Sequence, residues 1–420
     1  MAPPSTLTQD MFINPFRPTT MQYRHHNHIP ITFVMSLFLF LVANAQAQPH
    51  YSQVLQYAEK HNPTLQAATK RAEAEKTAAH LGALLPDPEI GAAYYWGDPA
   101  EIGKRWDMHV TQSFDMPSVM IRKGRLRNLE EQAAELNYQL VRTNLLLEIQ
   151  EMCADWIYYH GVAEVYSRRR ESAYHMAQLY QKRFETGDCS VLEYNRAQMY
   201  LADMQNMESE ALLKEDHATH HLRLLAGGND FPAFSPEYEP VKIESNFEDW
   251  YLSLEMRNPT LRLLDNQVEA SNQQMQLSRA EWLPTMNVGY NSENRVGETF
   301  RGVTVGLSLP LWSQQRAVRT ARLRAEASQM ELESQRSQIR THLSCTFHRH
   351  ATLMHNVESL KNALRQHDSQ TYLEQALEAG EISLEQYLQQ TDYYYNIELQ
   401  IWETAHELEL LHLLLYAVEL

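Results

Sequence analysis

Four short segments of the chain alternate apolar and polar residues with a period of two. They are residues 90–96, 106–114, 286–291 and 303–309. Such alternation predicts β-strands that have one apolar and one polar face. A half-buried hairpin of a soluble sheet shows this pattern, and so does a membrane barrel with apolar side chains towards lipid and polar ones towards the lumen. The alternation by itself leaves both interpretations open.

On the membrane interpretation, the two faces of the strands define two sets of candidate residues. The predicted lumen-lining residues are Asp107, His109, Thr111, Ser113, Asn287, Asn291, Thr304 and Ser308. The predicted lipid-facing residues are Trp106, Met108, Val110, Phe114, Met286, Val288, Tyr290, Val303, Val305, Leu307 and Leu309.

Between the strand pairs lie long stretches without helix-breaking residues. Residues 311–379 contain neither glycine nor proline, and residues 125–186 contain no proline. A helix of about 60 residues is roughly 90 Å long, whereas globular helices average about 11–12 residues. Gly187 and Gly380 are suited to left-handed helix ends, and Ser190 and Ser383 can cap returning helices. The sequence predicts two long antiparallel helical hairpins with tight tips.

The chain is predicted to be a duplication. Residues 61–65 (HNPTL) reappear as residues 257–261 (RNPTL), Leu-Pro at 85–86 reappears at 283–284, and the glycine-serine tips also recur. We therefore expect repeats over 48–226 and 251–420, joined by a proline-rich linker over 227–250. Proline after Asn62 or Asn258 stands in a first helical turn, where its missing N–H costs nothing.

The N-terminal region resembles an export signal. Residues 31–43 form an uncharged apolar run, which is shorter than the roughly 20 residues of a membrane-spanning helix. Small residues suited to cleavage follow it, so residues 1–47 are predicted to be a secretory signal peptide. Residues 1–20 precede a more usual start at Met21 and are interpreted as an upstream extension.

The composition excludes several classes of function. With 36 basic and 53 acidic residues the net charge is −17, which argues against nucleic-acid binding. Only 14 glycines argue against an all-β chain or a dinucleotide-binding enzyme. Cys153, Cys189 and Cys345 are too few for a disulfide framework. Cys153 and Cys345 could pair, but small apolar residues on helices are the preferred interpretation.

The sequence contains few candidate catalytic or metal-binding residues. His217 and His221 lie one helical turn apart and could hold a metal, although solvated helix surface is the preferred interpretation. The sequence has no zinc-type cysteine spacing, nucleophile elbow or phosphate-binding loop. We predict no enzyme activity, no cofactor and no metal site.

The strand number constrains the assembly. Bacterial barrels begin at eight strands, so four cannot close one. An open sheet edge in hydrocarbon leaves backbone groups unpaired at several kcal/mol each. If the strands span a membrane, several chains must share one barrel.

The alternative to a membrane protein is a soluble periplasmic coiled-coil scaffold or adaptor. That alternative does not explain why paired amphipathic strands occur in both halves.

Four features recur in both halves: the NPTL helix starts, the LLP and WLP helix ends, the strand pairs and the glycine-tipped hairpins. In this arrangement the chain resembles the TolC-type outer-membrane efflux family over roughly residues 50–420. The resemblance implies a fold that is mostly α with a small β part. It also implies a homotrimer in the lipid of the outer membrane of a Gram-negative bacterium, with a shared twelve-stranded barrel and a periplasmic helical tunnel.

The same resemblance implies a passive duct that exports small molecules or metal cations for a periplasmic adaptor and an inner-membrane pump of the RND type. Residues 85–89 (LPDPE) and 111–113 (TQS) are similar to the heavy-metal cation-efflux branch of the family. That branch usually has a glycine-rich basic run after the second strand, whereas this chain has MPSVMIRK at 116–123. The residues expected to meet the adaptor are those of the tips: Gly187, Asp188, Ser190, Val191, Gly380, Glu381, Ser383 and Leu384.

Overall fold

The computed structural model describes residues 51–420 except 229, 240–243, 245, 313 and 367–369. The predicted signal peptide over 1–47 lies outside the described residues. The helices are α1 (Ser52–His61), α2 (Pro63–Gly82), α3 (Pro117–Thr186), α4 (Val191–Leu225), α5 (Phe247–Glu255), α6 (Pro259–Ala280), α7 (Gln314–Gln366), α8 (Gln370–Ala379) and α9 (Leu384–Tyr416). The strands are β1 (Glu89–Trp96), β2 (Lys104–Phe114), β3 (Thr285–Arg295) and β4 (Glu298–Ser308).

The predicted fold class, mostly α with a small β part, is confirmed. In the described part of the chain, no helix has both the length and the apolar character needed to cross a bilayer. The order helix, strand pair, long helix and returning helix occurs twice along the chain.

An asparagine caps the helix that precedes each strand pair. The Asn62 side chain accepts hydrogen bonds from the backbone N–H groups of Thr64 and Leu65, at 2.8 and 3.2 Å. Asn258 caps α6 in the same way, with Pro259 in the first turn. The Asn-Pro pair therefore starts both helices, as the sequence predicts.

The long helices are present. α3 has 70 residues, which corresponds to about 105 Å, and α4 returns along it for 35 residues. In the second half α7 has 53 residues and α9 returns for 33. The stretch predicted as one helix over 311–379 is described as α7 and α8, and the residues at 367–369 lie outside the description.

A hydrophobic core lies where α1, α3, α4 and α9 meet. Its fully buried members include Val54, Ile149, Ile157 and Leu222. Cys153 is buried among them, whereas Cys345 is exposed. All three cysteines of the described chain are free thiols, so the considered pairing of Cys153 with Cys345 is not formed.

The four strands form one antiparallel sheet in the order β1-β2-β3-β4. Val110 of β2 lies opposite Ile90 of β1 and Tyr290 of β3, and Tyr290 lies opposite Val303 of β4. β1 and β4 each have one edge without a strand partner among the described residues. The sheet is therefore open at both sides.

Candidate functional site

One face of the sheet is predominantly apolar. Directly opposite residues in neighbouring strands share a face, so the row Ile90, Val110, Tyr290 and Val303 crosses all four strands on one side. The predicted lipid-facing residues within the strands all lie on this side: Trp106, Met108, Val110, Phe114, Met286, Val288, Tyr290, Val303, Val305 and Leu307. Leu309 follows the end of β4 and is also exposed.

The opposite face is polar. Asp107 lies opposite Glu293, and His109 lies opposite Asn291. The Ser113 hydroxyl donates a hydrogen bond of 2.8 Å to the Asn287 side-chain oxygen. The register brings the predicted lumen-lining residues together on this face: Asp107, His109, Thr111, Ser113, Asn287, Asn291, Thr304 and Ser308.

Along β2 the pattern of exposure is the reverse of that in a soluble sheet. The apolar side chains are exposed, from 37% for Phe114 to 72% for Val303. On β2 the polar residues between the exposed apolar ones are half-buried, and the side chain of Asp107 is only 22% exposed. Since exposed apolar surface costs about 25 cal/mol per Å² in water, this face requires apolar surroundings.

Exposed aromatic side chains mark the two ends of the sheet. Trp96 lies on the apolar face at the end where the strand turns are, and Trp282 and Trp312 lie beside the helices. Phe300, also near the turns, lies on the polar face opposite Glu293. Eleven residues at about 3.3 Å each span roughly 36 Å, which a tilt of about 40° reduces to roughly 28 Å. The strands are therefore long enough to span the apolar band of about 25 Å that is typical of membrane barrels.

A charged cluster on the polar face near the turns was not predicted from the sequence. Arg105 contacts Asp107 at 2.8 Å and Glu293 at 3.1 Å, and Arg295 contacts Glu293 at 2.6 Å. Two arginines and two carboxylates balance each other's charge. Except for Asp107, these residues extend the strands beyond the segments of regular alternation, so periodicity gave no signal for them.

Gln112 interrupts the apolar face near the helical end of β2. Its side-chain amide donates hydrogen bonds to the backbone oxygens of Pro86, at 2.7 Å, and Ser113, at 3.0 Å. The polar group is therefore satisfied by backbone at the rim of the sheet.

The hairpin tips have the predicted caps. Gly187 and Gly380 adopt left-handed backbone angles, with φ of +82° and +75°. Ser190 forms a reciprocal capping box with Glu193, and Ser383 forms one with Gln386. Of the predicted docking residues, Leu384 is buried and supports its tip from inside, while the others are exposed.

The two tips are joined to each other. A guanidinium nitrogen of Arg183 donates hydrogen bonds to the backbone oxygens of Leu377 and Glu378, at 3.1 and 2.9 Å. A tip cluster of buried side chains from both hairpins packs beside this contact: Met176, Tyr180, Ala197, Leu377, Leu384, Tyr387 and Leu388.

An ionic contact of a buried arginine further along the hairpins was also missed. Arg169, only 8% exposed, pairs with Asp392 and donates a hydrogen bond of 3.1 Å to the Tyr200 hydroxyl. The same hydroxyl lies 3.1 Å from Asp392. This contact joins the first hairpin to the second, and its partners are too far apart in sequence for a local pattern to indicate them.

The exposed histidine pair fits the surface interpretation. His217 is exposed and His221 is half-buried, and their ring centroids are 6.4 Å apart. Among the residues that the structure describes, no three His, Cys, Asp or Glu side chains gather as a metal site would require.

Comparisons with known proteins identify the fold. No family model and no curated protein matches the chain. The CmeC outer membrane channel of Campylobacter jejuni has a TM-score of 0.75 and 14% identity, over 88% of this chain and 85% of that one. CusC, whose crystal structures concern folding and transmembrane channel formation, has a TM-score of 0.76 and 13% identity, over 89% and 92%. The open state of the Neisseria gonorrhoeae MtrE channel has a TM-score of 0.71 and 14% identity, over 88% and 89%.

At these identities the likeness establishes the fold. The chain has the fold of TolC-type outer-membrane channels, over nearly the whole of the described chain. The resemblance seen in the sequence is confirmed at this level.

Proposed function

We propose that this chain is the outer-membrane channel component of a tripartite efflux system in a Gram-negative bacterium. The observation that carries the proposal is a sheet with an exposed apolar face, a polar face that is half-buried along β2, and two open edges. Lipid would cover the apolar face, and the long helices would continue into the periplasm.

The open edges support assembly of several copies into one barrel, and the family resemblance gives their number as three. Each edge presents backbone N–H and C=O groups that hydrocarbon cannot satisfy. Pairing β4 of one copy with β1 of the next would remove every edge. Three copies of a four-stranded sheet give twelve strands, above the eight at which bacterial barrels begin.

In that barrel the polar face would line the lumen and the duct would do no chemistry of its own. Energy would come from an inner-membrane pump of the RND type, through a periplasmic adaptor that meets the exposed tip residues. The cargo would be small molecules or metal cations, and the net charge of −17 is compatible with a path that disfavours anions.

Cell fractionation tests the proposal. The protein should remain with the outer membrane, require detergent for extraction, and run as an oligomer that dissociates on heating. Chemical cross-linking of the extracted protein should stop at three copies. A soluble periplasmic scaffold or adaptor, the alternative function, would instead appear in the osmotic-shock fluid, and that result would overturn the proposal.

A further inference from the structure

An arginine interrupts the apolar face of the sheet. Arg301 of β4 lies opposite Ser292 of β3, which lies opposite Met108 of β2, so all three side chains are on the apolar side. Arg301 is exposed. The next position of β4 on this side, towards the helices, is Val303, where the exposed apolar residues of the strand begin. A charged side chain at the border of an exposed apolar surface calls for an explanation.

Three polar residues accompany Arg301 near the turn between β3 and β4. Asn294 lies opposite Thr299, one step beyond the pair of Ser292 and Arg301, and the turn follows at residues 296–297. Residues opposite each other in neighbouring strands have Cβ atoms about 5 Å apart, and successive residues on one face of a strand are about 7 Å apart. These four residues, the polar patch, are therefore close enough to contact one ligand group together.

The charges of the strands are divided unequally between the two faces of the sheet. The carboxylates of the four strands all lie on the polar face: Glu89, Asp107, Glu293 and Glu298. The apolar side has Lys104, opposite Trp96, and Arg301, and both cations lie in the half of the sheet nearer the turns. Arg301 therefore has a positive charge that no carboxylate on its own side of the described strands balances.

Aromatic side chains indicate the depth of the polar patch in a membrane. Trp106 lies opposite both Tyr94 and Asn294, so the row of Asn294 and Thr299 continues into two exposed aromatic side chains. Tryptophan and tyrosine are enriched at the headgroup level of a bilayer. A cation on the outside of a barrel is costly at the bilayer midplane and much less so near the headgroups, which a long side chain can reach. The polar patch is therefore suited to the headgroup level.

We propose that the polar patch binds a phosphate group of the phosphorylated glycolipid in the outer leaflet of the outer membrane. This inference rests on the proposed function, which directs the strand turns to the exterior. The lipid A part of that glycolipid has phosphate groups on sugar rings. The Arg301 guanidinium can donate two parallel hydrogen bonds to a phosphate. The hydroxyl groups of Ser292 and Thr299 and the amide of Asn294 can donate to phosphate oxygens or bond with sugar hydroxyls.

The test compares three lipids on the full-length protein, purified in a neutral detergent. They are lipid A with its phosphates, lipid A from which the phosphates have been removed, and phosphatidylglycerol. The dependence of Tm on the concentration of each lipid gives its apparent dissociation constant. We expect phosphorylated lipid A to bind at least about tenfold more tightly than either of the others, because a hydrogen bond to a charged group contributes about that factor.

Two variants locate the site. Arg301→Gln removes the charge at an exposed position but keeps a polar side chain. It should weaken the binding of phosphorylated lipid A about tenfold or more and leave the binding of dephosphorylated lipid A unchanged. Arg365→Gln makes the same substitution at an exposed position near the end of α7, away from the sheet, and should bind all three lipids like the parent.

The parent protein alone can overturn the inference, even if Arg301→Gln fails to fold. Equal binding of lipid A with and without its phosphates would exclude a phosphate site, and equal binding of phosphatidylglycerol would exclude selection of the glycolipid. Unchanged binding by Arg301→Gln, or weaker binding by Arg365→Gln, would exclude the polar patch. Protein in the osmotic-shock fluid would overturn the proposed function, whereas an outer-membrane oligomer that does not distinguish these lipids would overturn this inference alone.

Discussion

At the scale of single residues, the helical body encloses two charged side chains in different ways. Arg169 has Asp392 and the Tyr200 hydroxyl as partners, and its guanidinium lies 5.5 Å from the Tyr395 ring centroid. Glu409 is as deeply buried, at 7% exposure, and accepts a 3.0 Å hydrogen bond from the Tyr51 hydroxyl. Burial raises the pKa of Glu409 to about 7, despite that bond.

Glu409 should make stability depend on pH. Its pKa is about 7 in the folded protein against 4.5 when exposed, so the folded state binds more protons between these values. The free energy of unfolding should therefore fall as the pH rises from 4.5 to 7, by roughly 2–3 kcal/mol from this group. We expect Glu409→Gln to remove this slope and to be more stable than the parent at pH 8.

Unfolding midpoints at pH 5.5 and pH 8 measure the effect. Burial lowers the pKa of His350 and His412, which acts in the opposite direction, but both proteins contain these residues and the comparison cancels them. Glu403→Gln, at an exposed position of the same helix, is the control. Equal slopes in the parent and in Glu409→Gln would refute the assignment.

Local residue patterns and distant contacts differed in how well the sequence indicated them. The caps at Gly187 and Ser190 and the proline in the first turn after Asn62 were predicted, because each acts within a few residues of itself. The Arg169–Asp392 contact joins positions 223 apart, and nothing in either neighbourhood identifies the other partner. The sequence therefore indicated the caps at the hairpin tips but gave no sign of the asparagine caps or of the ionic contacts between the hairpins.

At the scale of elements, the strands show where periodicity stops being informative. The predicted third strand ends at residue 291, whereas β3 continues to Arg295 and β4 begins at Glu298. Polar residues occupy both faces of the sheet near these turns, so alternation disappears while the backbone pairing continues. The long helices were easier, because the absence of proline and the scarcity of glycine leave few places to end them.

The two faces of β4 can be distinguished by the same substitution at adjacent positions. Val303 lies on the apolar face and Thr304 on the polar face, both near the middle of the strand. A lysine on the lipid face near the middle of a membrane costs about 2–4 kcal/mol. We expect Val303→Lys to reduce the amount of protein inserted in the outer membrane, and Thr304→Lys to insert like the parent.

Quantifying the detergent-extracted oligomer in outer-membrane fractions measures this difference. The scaffold alternative makes the opposite prediction, since Val303 would then be an exposed residue in water where lysine is harmless. Normal levels of Val303→Lys would therefore argue against lipid contact at this face.

At the scale of the whole molecule, the sheet and the tips lie at opposite ends of helices about 80–105 Å long. Arg183 and the tip cluster bind the two hairpins together at the far end. A partner that binds one tip would therefore act on both, which supports the proposal that an adaptor docks at the tips.

Valine at the tip glycines should uncouple export from membrane insertion. Gly187 and Gly380 have positive φ and open space around the position of a Cβ, so valine costs roughly 1–2 kcal/mol of backbone strain and projects from the docking surface. Gly228→Val, at a positive φ with equally open space at the other end of α4, is the matched control. We expect Gly187→Val and Gly380→Val to reach the membrane as oligomers but to lose adaptor cross-linking and export in a knockout strain. Gly228→Val should retain both, and normal export by the tip variants would show that the adaptor docks elsewhere.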